Sequence, residues 1–183
     1  PKLRVADVKF NTQEILKEIA RLAAEETEIA VFPELSLCGY TCGDLFFDGS
    51  LLKATRAAAF YLAEESLKIA PRLLFFIGLP VEKGGKLYNC AAAICGGKIL
   101  ALIPKSSLPN YGEFYEKRWF EPAGKISRDV EIGGLNILSV IKYLPVRRRF
   151  KQIYAAKHGA FARAGRAYYG NDFAFFYVEI DAF

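Results

Sequence analysis

The sequence predicts an α/β protein in which helices cover a mixed β-sheet. The predicted elements run helix, strand, helix, strand, hairpin, strand, an order typical of a mixed sheet with helices on a face. The apolar stretches also lack alternation between apolar and polar residues, which indicates strands covered on both faces. With 183 residues, the chain is long enough to form one domain with a substantial core.

Capping and periodic signals place two helices on either side of one short strand. Asn11 and Thr12 are suited to cap the first helix, and Pro71 ends the second. Between them, Gly39 and Gly43 mark a loop. The predicted elements are a helix over residues 12–26, a buried strand over 28–32 and a helix over 50–69. The predicted apolar helix faces consist of Ile15, Ile19, Leu22 and Ala23, and of Leu51, Ala58, Tyr61, Leu62 and Ile69.

Proline and paired glycines delimit the strands predicted in the second half. Pro80 ends one apolar run, and Gly84–Gly85 and Gly96–Gly97 have the composition of turns, the latter of a two-residue hairpin. The predicted elements are strands over residues 73–79, 87–95, 98–103 and 131–138, and an aromatic and charged loop over 104–122.

The composition favours a cytoplasmic protein. It is 52% hydrophobic and 25% charged, and no apolar run approaches the ~20 residues that span a bilayer. The opening Pro1–Arg4 lacks the apolar segment of a signal peptide. Four cysteines in a chain of this length fit a reducing compartment better than a disulfide framework. Because the sequence contains no methionine, we expect it to begin inside a longer protein.

Charge and aromatic content change near residue 139. Residues 1–141 contain 17 Lys+Arg and 17 Asp+Glu. Residues 142–183 contain 8 Lys+Arg, 3 Asp+Glu and 11 aromatic residues. We interpret residues 139–183 as a separate basic, aromatic tail, which a frameshift would explain. A tail that binds nucleic acid through charge and base stacking is the less favoured interpretation, and we expect no nucleic-acid partner.

Two strand ends carry the candidate catalytic groups. Glu34 follows Pro33 at the end of an apolar run, and Lys105 follows Pro104 in the same way. Open α/β sheets bind ligands at the ends of their strands. A carboxylate can act there as a general base, and a fixed ammonium can stabilise an oxyanion. The pair therefore suggests two of the three parts of an acyl-transfer site.

Three segments resemble the nitrilase (carbon–nitrogen hydrolase) superfamily. They are VADVKFNTQEI (5–15), FPELSLCGYTCGDLFF (32–47) and GLPVEKGGKLYNCAAAICGGKILALIPKSSLPNYGEFYEKRWF (78–120). Within this superfamily, the segments are similar to the glutaminase domain of bacterial glutamine-dependent NAD⁺ synthetases, and the resemblance covers residues 1–138. The resemblance implies a nitrilase-like αββα sandwich. We expect it to be incomplete, without the first strand and the strand that carries the nucleophile.

The resemblance also implies a Glu–Lys–Cys triad. Its glutamate falls on Glu34, its lysine on Lys105, and an additional supporting glutamate on Glu113. By the same resemblance, Tyr111 and Phe114 line the glutamine pocket. In such a site the glutamate takes the thiol proton, the thiolate attacks the side-chain amide of glutamine, and the lysine holds the oxyanion.

The nucleophile of this triad is missing from the expected place. It would follow the lysine loop, but no cysteine follows Cys95. Cys38 and Cys42 form a C-x₃-C pair without two further ligands, so no metal site is predicted, and both are interpreted as packing residues. Cys90 lies in an apolar strand. We therefore expect this chain to be inactive.

The predicted function is that of a fragment of a glutamine amidohydrolase domain that supplies ammonia for the amidation of deamido-NAD⁺. The resemblance implies glutamine and a C-terminal synthetase domain as partners, and a homo-oligomer. It implies no cofactor in this chain, since ATP and Mg²⁺ belong to the synthetase domain. Two alternatives stay open: a degraded free-standing nitrilase-type amidase, and a non-catalytic α/β module with a basic binding tail.

Overall fold

Six strands form one mixed sheet in the computed structural model, which describes residues 1–123, 128–132 and 135–139. The strands are β1 (Ile29–Val31), β2 (Leu74–Lys83), β3 (Lys86–Cys95), β4 (Lys98–Pro104), β5 (Arg128–Ile132) and β6 (Leu135–Ser139). The order is β1-β2-β3-β4-β6-β5. The pairs β1–β2 and β4–β6 are parallel and the other three are antiparallel, which confirms the predicted mixed sheet.

Two helices pack with this sheet. Helix α2 (Gly49–Ile69) lies across β2, β3 and β4, and helix α1 (Val8–Ala24) packs against α2. Burying each large apolar side chain contributes about 1.5–3 kcal/mol, so the layer between helices and strands holds the fold together. Neither helix is long and apolar enough to cross a membrane. Fully buried side chains of this core include Ile15, Ile19, Leu62, Phe75, Ile77 and Ile94.

The start of α1 differs from the prediction. Asp7 caps the helix, because its Oδ1 accepts a hydrogen bond from the backbone N–H of Phe10 at 3.0 Å. Asn11, the predicted cap, lies inside the helix and is buried. Its side-chain amide donates to the carbonyls of Arg4 and Leu37 at 2.8 and 3.1 Å. The cap prediction was wrong because Asn11 serves a tertiary contact that its neighbours in sequence do not reveal.

Two predicted apolar surfaces are more exposed than expected. Strand β1 lies at a sheet edge, where Ile29 and Val31 are 44% and 68% exposed. In α2, Tyr61 and Ile69 face solvent. The buried face of α2 is formed mostly by smaller residues, which let the helix approach the sheet closely. These residues are Leu51, Thr55, Ala58, Ala59, Leu62, Ala63 and Ser66.

Two strand boundaries also differ from the prediction. Strand β2 continues through Pro80, because β1 pairs with β2 only as far as Phe76 and a proline is tolerated where a strand has one neighbour. The single strand predicted over 131–138 is in fact the hairpin of β5 and β6, in which Ile132 pairs with Leu135. The sequence has Gly133–Gly134 at that point, a pair with the composition of a hairpin turn.

Candidate active site

Glu34 is placed by a tight turn that follows β1. Leu35 has a φ of 50°, so the chain turns sharply after the glutamate. This turn lies directly on the backbone of Gly78: the Leu37 N–H donates to the Gly78 carbonyl, and the Gly78 N–H donates to Oγ of Ser36, both at 3.1 Å. A Cβ at position 78 would lie 2.1 Å from the Leu35 nitrogen. The absence of a side chain at Gly78 is therefore what lets the Glu34 turn sit against β2.

Lys105 comes from the end of β4 and meets Glu34. Its backbone N–H donates to the carbonyl of Asn89 at 2.8 Å, which fixes the start of the loop. Its Nζ lies 2.6 Å from Oε1 of Glu34 and 2.8 Å from Oε1 of Glu116. The side chains of Lys105, Glu34 and Glu116 are 9%, 30% and 2% exposed. The two strand ends thus bring a carboxylate and an ammonium together in a largely desolvated place, as the sequence predicted.

Glu116, and not the predicted supporting glutamate Glu113, lies beside Lys105. Glu113 is exposed, whereas Glu116 is buried in the short 3₁₀ segment Glu116–Arg118. A turn at Gly112, where φ is 58°, precedes Glu113. Besides burial, the charge of Glu113 still contributes to the raised pKa of Tyr40. The signal that could have identified Glu116 is its spacing to Phe120. The Phe120 N–H donates to the Glu116 carbonyl at 2.8 Å, a bond of α-helical spacing, and residues four apart in such a turn face the same side.

Tyr40 completes the polar cluster around Glu116. Its hydroxyl donates to Oε1 of Glu116 at 2.7 Å. Burial and this hydrogen bond raise the pKa of Tyr40, so the phenol keeps its proton and remains a donor. Oε2 of Glu116 is buried and has no hydrogen-bond partner among the residues that the structure describes. Sequence reasoning did not identify Tyr40.

Asn89 is a second residue that sequence reasoning missed. It lies in β3, is 2% exposed, and donates from Nδ2 to Oε1 of Glu34 at 2.5 Å. A buried polar side chain needs a partner, and here the partner is the candidate base. The only sequence signal is a polar residue within an otherwise apolar strand.

The predicted pocket residues lie on the loop between Lys105 and Glu116. The ring of Phe114 contacts the rings of Tyr40 and Tyr111 edge to face, with centroids 6.5 and 5.7 Å apart. Tyr111 is 67% exposed. The aromatic residues therefore extend from the buried cluster to solvent, which suits one wall of an entrance.

A polar clamp joins the two loops that hold the site. Arg118 donates from Nε and Nη2 to the two oxygens of Asp44, and Nε1 of Trp119 donates to Oδ1 at 3.0 Å. Beneath it, Phe46 packs on Trp119 and Phe120, with ring centroids 5.7 and 4.9 Å away. The hydrogen bonds from Arg118 and Trp119 lower the pKa of Asp44 to about 2.

We expect NMR titration of the Asp44 carboxyl carbon to show a midpoint near pH 2, below its ordinary 3.8. Because the folded-state pKa is depressed, the clamp contributes fully above about pH 4 and is lost as the pH falls through about 2. Arg118→Gln should move the midpoint up towards 3.8, whereas Lys117→Gln, at the exposed neighbouring position, should leave it in place. An Asp44 midpoint that is the same in both variants would contradict the clamp.

None of the four cysteines is placed as an evident nucleophile. Cys38, Cys42 and Cys90 are buried, and Cys95 is partly exposed. The neighbouring thiol of Cys42 and burial raise the pKa of Cys38, and the neighbouring thiol of Cys38 lowers the pKa of Cys42 to about 7. Burial raises the pKa of Cys90. In the part of the chain that the structure covers, no cluster of His, Cys, Asp and Glu could hold a metal ion.

Comparison with known proteins decides the family. The sequence profile of the carbon–nitrogen hydrolases matches residues 2–159. The chain belongs to the carbon–nitrogen hydrolase family. The match extends past residue 138, the predicted end of the domain. Residues 140–183 lie outside the described residues, so the predicted tail stays a prediction.

Related proteins of this family include NAD⁺ synthetases. The glutamine-dependent NAD(+) synthetase of Mycobacterium tuberculosis is 36% identical over 134 residues, which are 73% of this chain and 19% of that protein. The chain thus spans about a fifth of this relative's length. The crystal structure of a glutamine-dependent NAD(+) synthetase from Cytophaga hutchinsonii matches 79% of this chain and 25% of its own, with a TM-score of 0.71 and 24% identity.

A nitrilase-superfamily amidase shares the fold. The amidase from Nesterenkonia AN1 has a TM-score of 0.56 and 22% identity over 75% of this chain and 51% of its own. A glutamine-dependent NAD(+) synthetase and a nitrilase-superfamily amidase therefore share the architecture described above, which confirms the predicted nitrilase-like α/β fold.

Proposed function

We propose that this chain provides the glutamate and lysine of a glutamine amidohydrolase site, with Glu34 as general base and Lys105 as oxyanion stabiliser. The observation that carries the proposal is the placement of Nζ of Lys105 between the carboxyl groups of Glu34 and Glu116. The family membership and the similarity to glutamine-dependent NAD(+) synthetases support it.

The geometry leaves each group free for its proposed task. An ammonium has three N–H donors, and among the residues that the structure describes Lys105 uses two of them, on Glu34 and Glu116, which leaves the third for an oxyanion. Glu116, held by Tyr40, fixes the position of the ammonium. Glu34 is the most exposed of the three charged groups, at 30% of its side chain. Tyr111 and Phe114 are proposed to hold the glutamine chain.

The larger reaction is also a proposal. The similarity suggests that ammonia from glutamine passes to a synthetase domain that amidates deamido-NAD⁺, in a cytoplasmic homo-oligomer. ATP and Mg²⁺ would act in that synthetase domain. The first alternative, a free-standing amidase, would use the same glutamate and lysine on another amide.

The purified chain is expected to bind glutamine without releasing ammonia. Hydrolysis needs a nucleophile, and no cysteine follows Cys95. NMR titration with glutamine should shift the signals of Lys105 and Tyr111, and an ammonia assay should stay at the level of buffer. Tyr111→Ala should weaken glutamine binding by up to about tenfold, the usual value of an aromatic contact.

Tyr61→Ala is the matched control, because Tyr61 is also an exposed tyrosine but lies on α2. It should leave glutamine binding unchanged. If glutamine shifts neither Lys105 nor Tyr111, the proposed site is wrong. Steady ammonia release that stops in Glu34→Gln would contradict the expected inactivity and direct attention to Cys38 and Cys42.

A further inference from the structure

The two oxygens of Glu34 are not equivalent. Nδ2 of Asn89 donates to Oε1 at 2.5 Å, and Nζ of Lys105 lies 2.6 Å from the same oxygen. Within the described part of the chain, no hydrogen bond reaches Oε2. Two donors fill the lone-pair sites of Oε1, so Oε2 keeps its capacity to accept a proton.

Asn89 is itself fixed in a way that suits this role. It is 2% exposed and lies in β3, with its carbonyl bonded to the backbone N–H of Lys105 at 2.8 Å. One residue therefore holds both the start of the lysine loop and the carboxyl group with which the lysine pairs. A carboxamide suits this position because it supplies an N–H donor without adding a charge to the buried cluster.

We propose that Asn89 is a positioning residue that holds Oε1 of Glu34 and reserves Oε2 as the oxygen that accepts the proton. This inference rests on the proposed function, in which Glu34 is the general base. In that step an O–H bond forms at Oε2 as the bond between hydrogen and the attacking group breaks. The electron pair of the broken bond stays with the attacking group. Residues that orient a reacting group in this way fix geometry on which the rate depends.

The test is NMR spectroscopy on the full chain labelled with ¹³C and ¹⁵N, without glutamine. We expect a scalar coupling across the hydrogen bond between Nδ2 of Asn89 and the carboxyl carbon of Glu34. In Asn89→Leu, which cannot donate, we expect the Glu34 carboxyl resonance to shift and its side chain to lose order. Absence of the coupling in the unmodified chain overturns the proposal, whether or not the variant folds.

Asn11→Leu is the matched control, because Asn11 is a buried asparagine that bonds to the backbone of Arg4 and Leu37. It should lower stability but leave the Glu34 carboxyl resonance in place. A folded Asn89→Leu with an unchanged Glu34 resonance overturns the proposal, as does an equal shift in Asn11→Leu. These measurements use no substrate. If the chain fails to bind glutamine, that result contradicts the proposed function but not the hydrogen-bond assignment.

Discussion

Lys105→Met is expected to lower the free energy of unfolding by about 3–5 kcal/mol, the usual cost of breaking a buried ion pair by removing one partner. The substitution keeps the length of the side chain but removes the ammonium that both Glu34 and Glu116 contact. Glu116 is 2% exposed, so water cannot replace the lost donor. Urea unfolding followed by circular dichroism measures the change, provided that the slope with denaturant stays constant.

Lys17→Met is the control for this loss. Lys17 pairs with Glu14 on the exposed face of α1, with 73% of its side chain accessible, and such pairs contribute about 0–1 kcal/mol. The double variant Lys105→Met/Glu116→Gln should be less destabilised than the sum of its single variants, because it removes one of the two carboxylates left without a partner. Equal, small effects of Lys105→Met and Lys17→Met would show that the buried cluster contributes little.

Gly78→Ala is expected to destabilise the protein by at least about 3 kcal/mol, the upper end of the usual cost of overpacking. The added methyl group would lie 2.1, 2.8 and 2.9 Å from atoms of Glu34 and Leu35, all of them backbone. A flexible side chain could move aside, but this turn is bonded to β2 at two points and must shift as a unit. The variant should therefore also displace Glu34 and abolish the Asn89–Glu34 coupling.

Gly49→Ala is the matched substitution without the clash. Gly49 is the first residue of α2, and nothing lies within 4 Å of a Cβ placed there. Thermal unfolding of both variants gives the comparison. We expect Gly49→Ala to leave stability nearly unchanged, since alanine has the higher helix propensity. A Gly78→Ala variant as stable as the unmodified chain would mean that the Glu34 turn is looser than the structure indicates.

Much of the fold followed from local signals. Alternation was absent from β2 and β3 because successive residues of these strands are buried, on both faces of the sheet, and the Gly96–Gly97 turn between β3 and β4 was identified by its composition. The boundary errors share one cause: they depend on neighbours distant in sequence. Pro80 fits inside β2 only because β1 is short, and Asn11 is no cap because Leu37 accepts its amide.

The sequence by itself determined the class of the fold, the family resemblance and the pairing of Glu34 with Lys105. These follow from strand ends, whose position is set by apolar runs and prolines. The tertiary structure decided which groups surround that pair. Glu116 rather than Glu113 contacts Lys105, and Tyr40 and Asn89 join them from distant parts of the chain. Side-chain hydrogen bonds between residues 55 to 76 positions apart depend on packing, which no local pattern encodes.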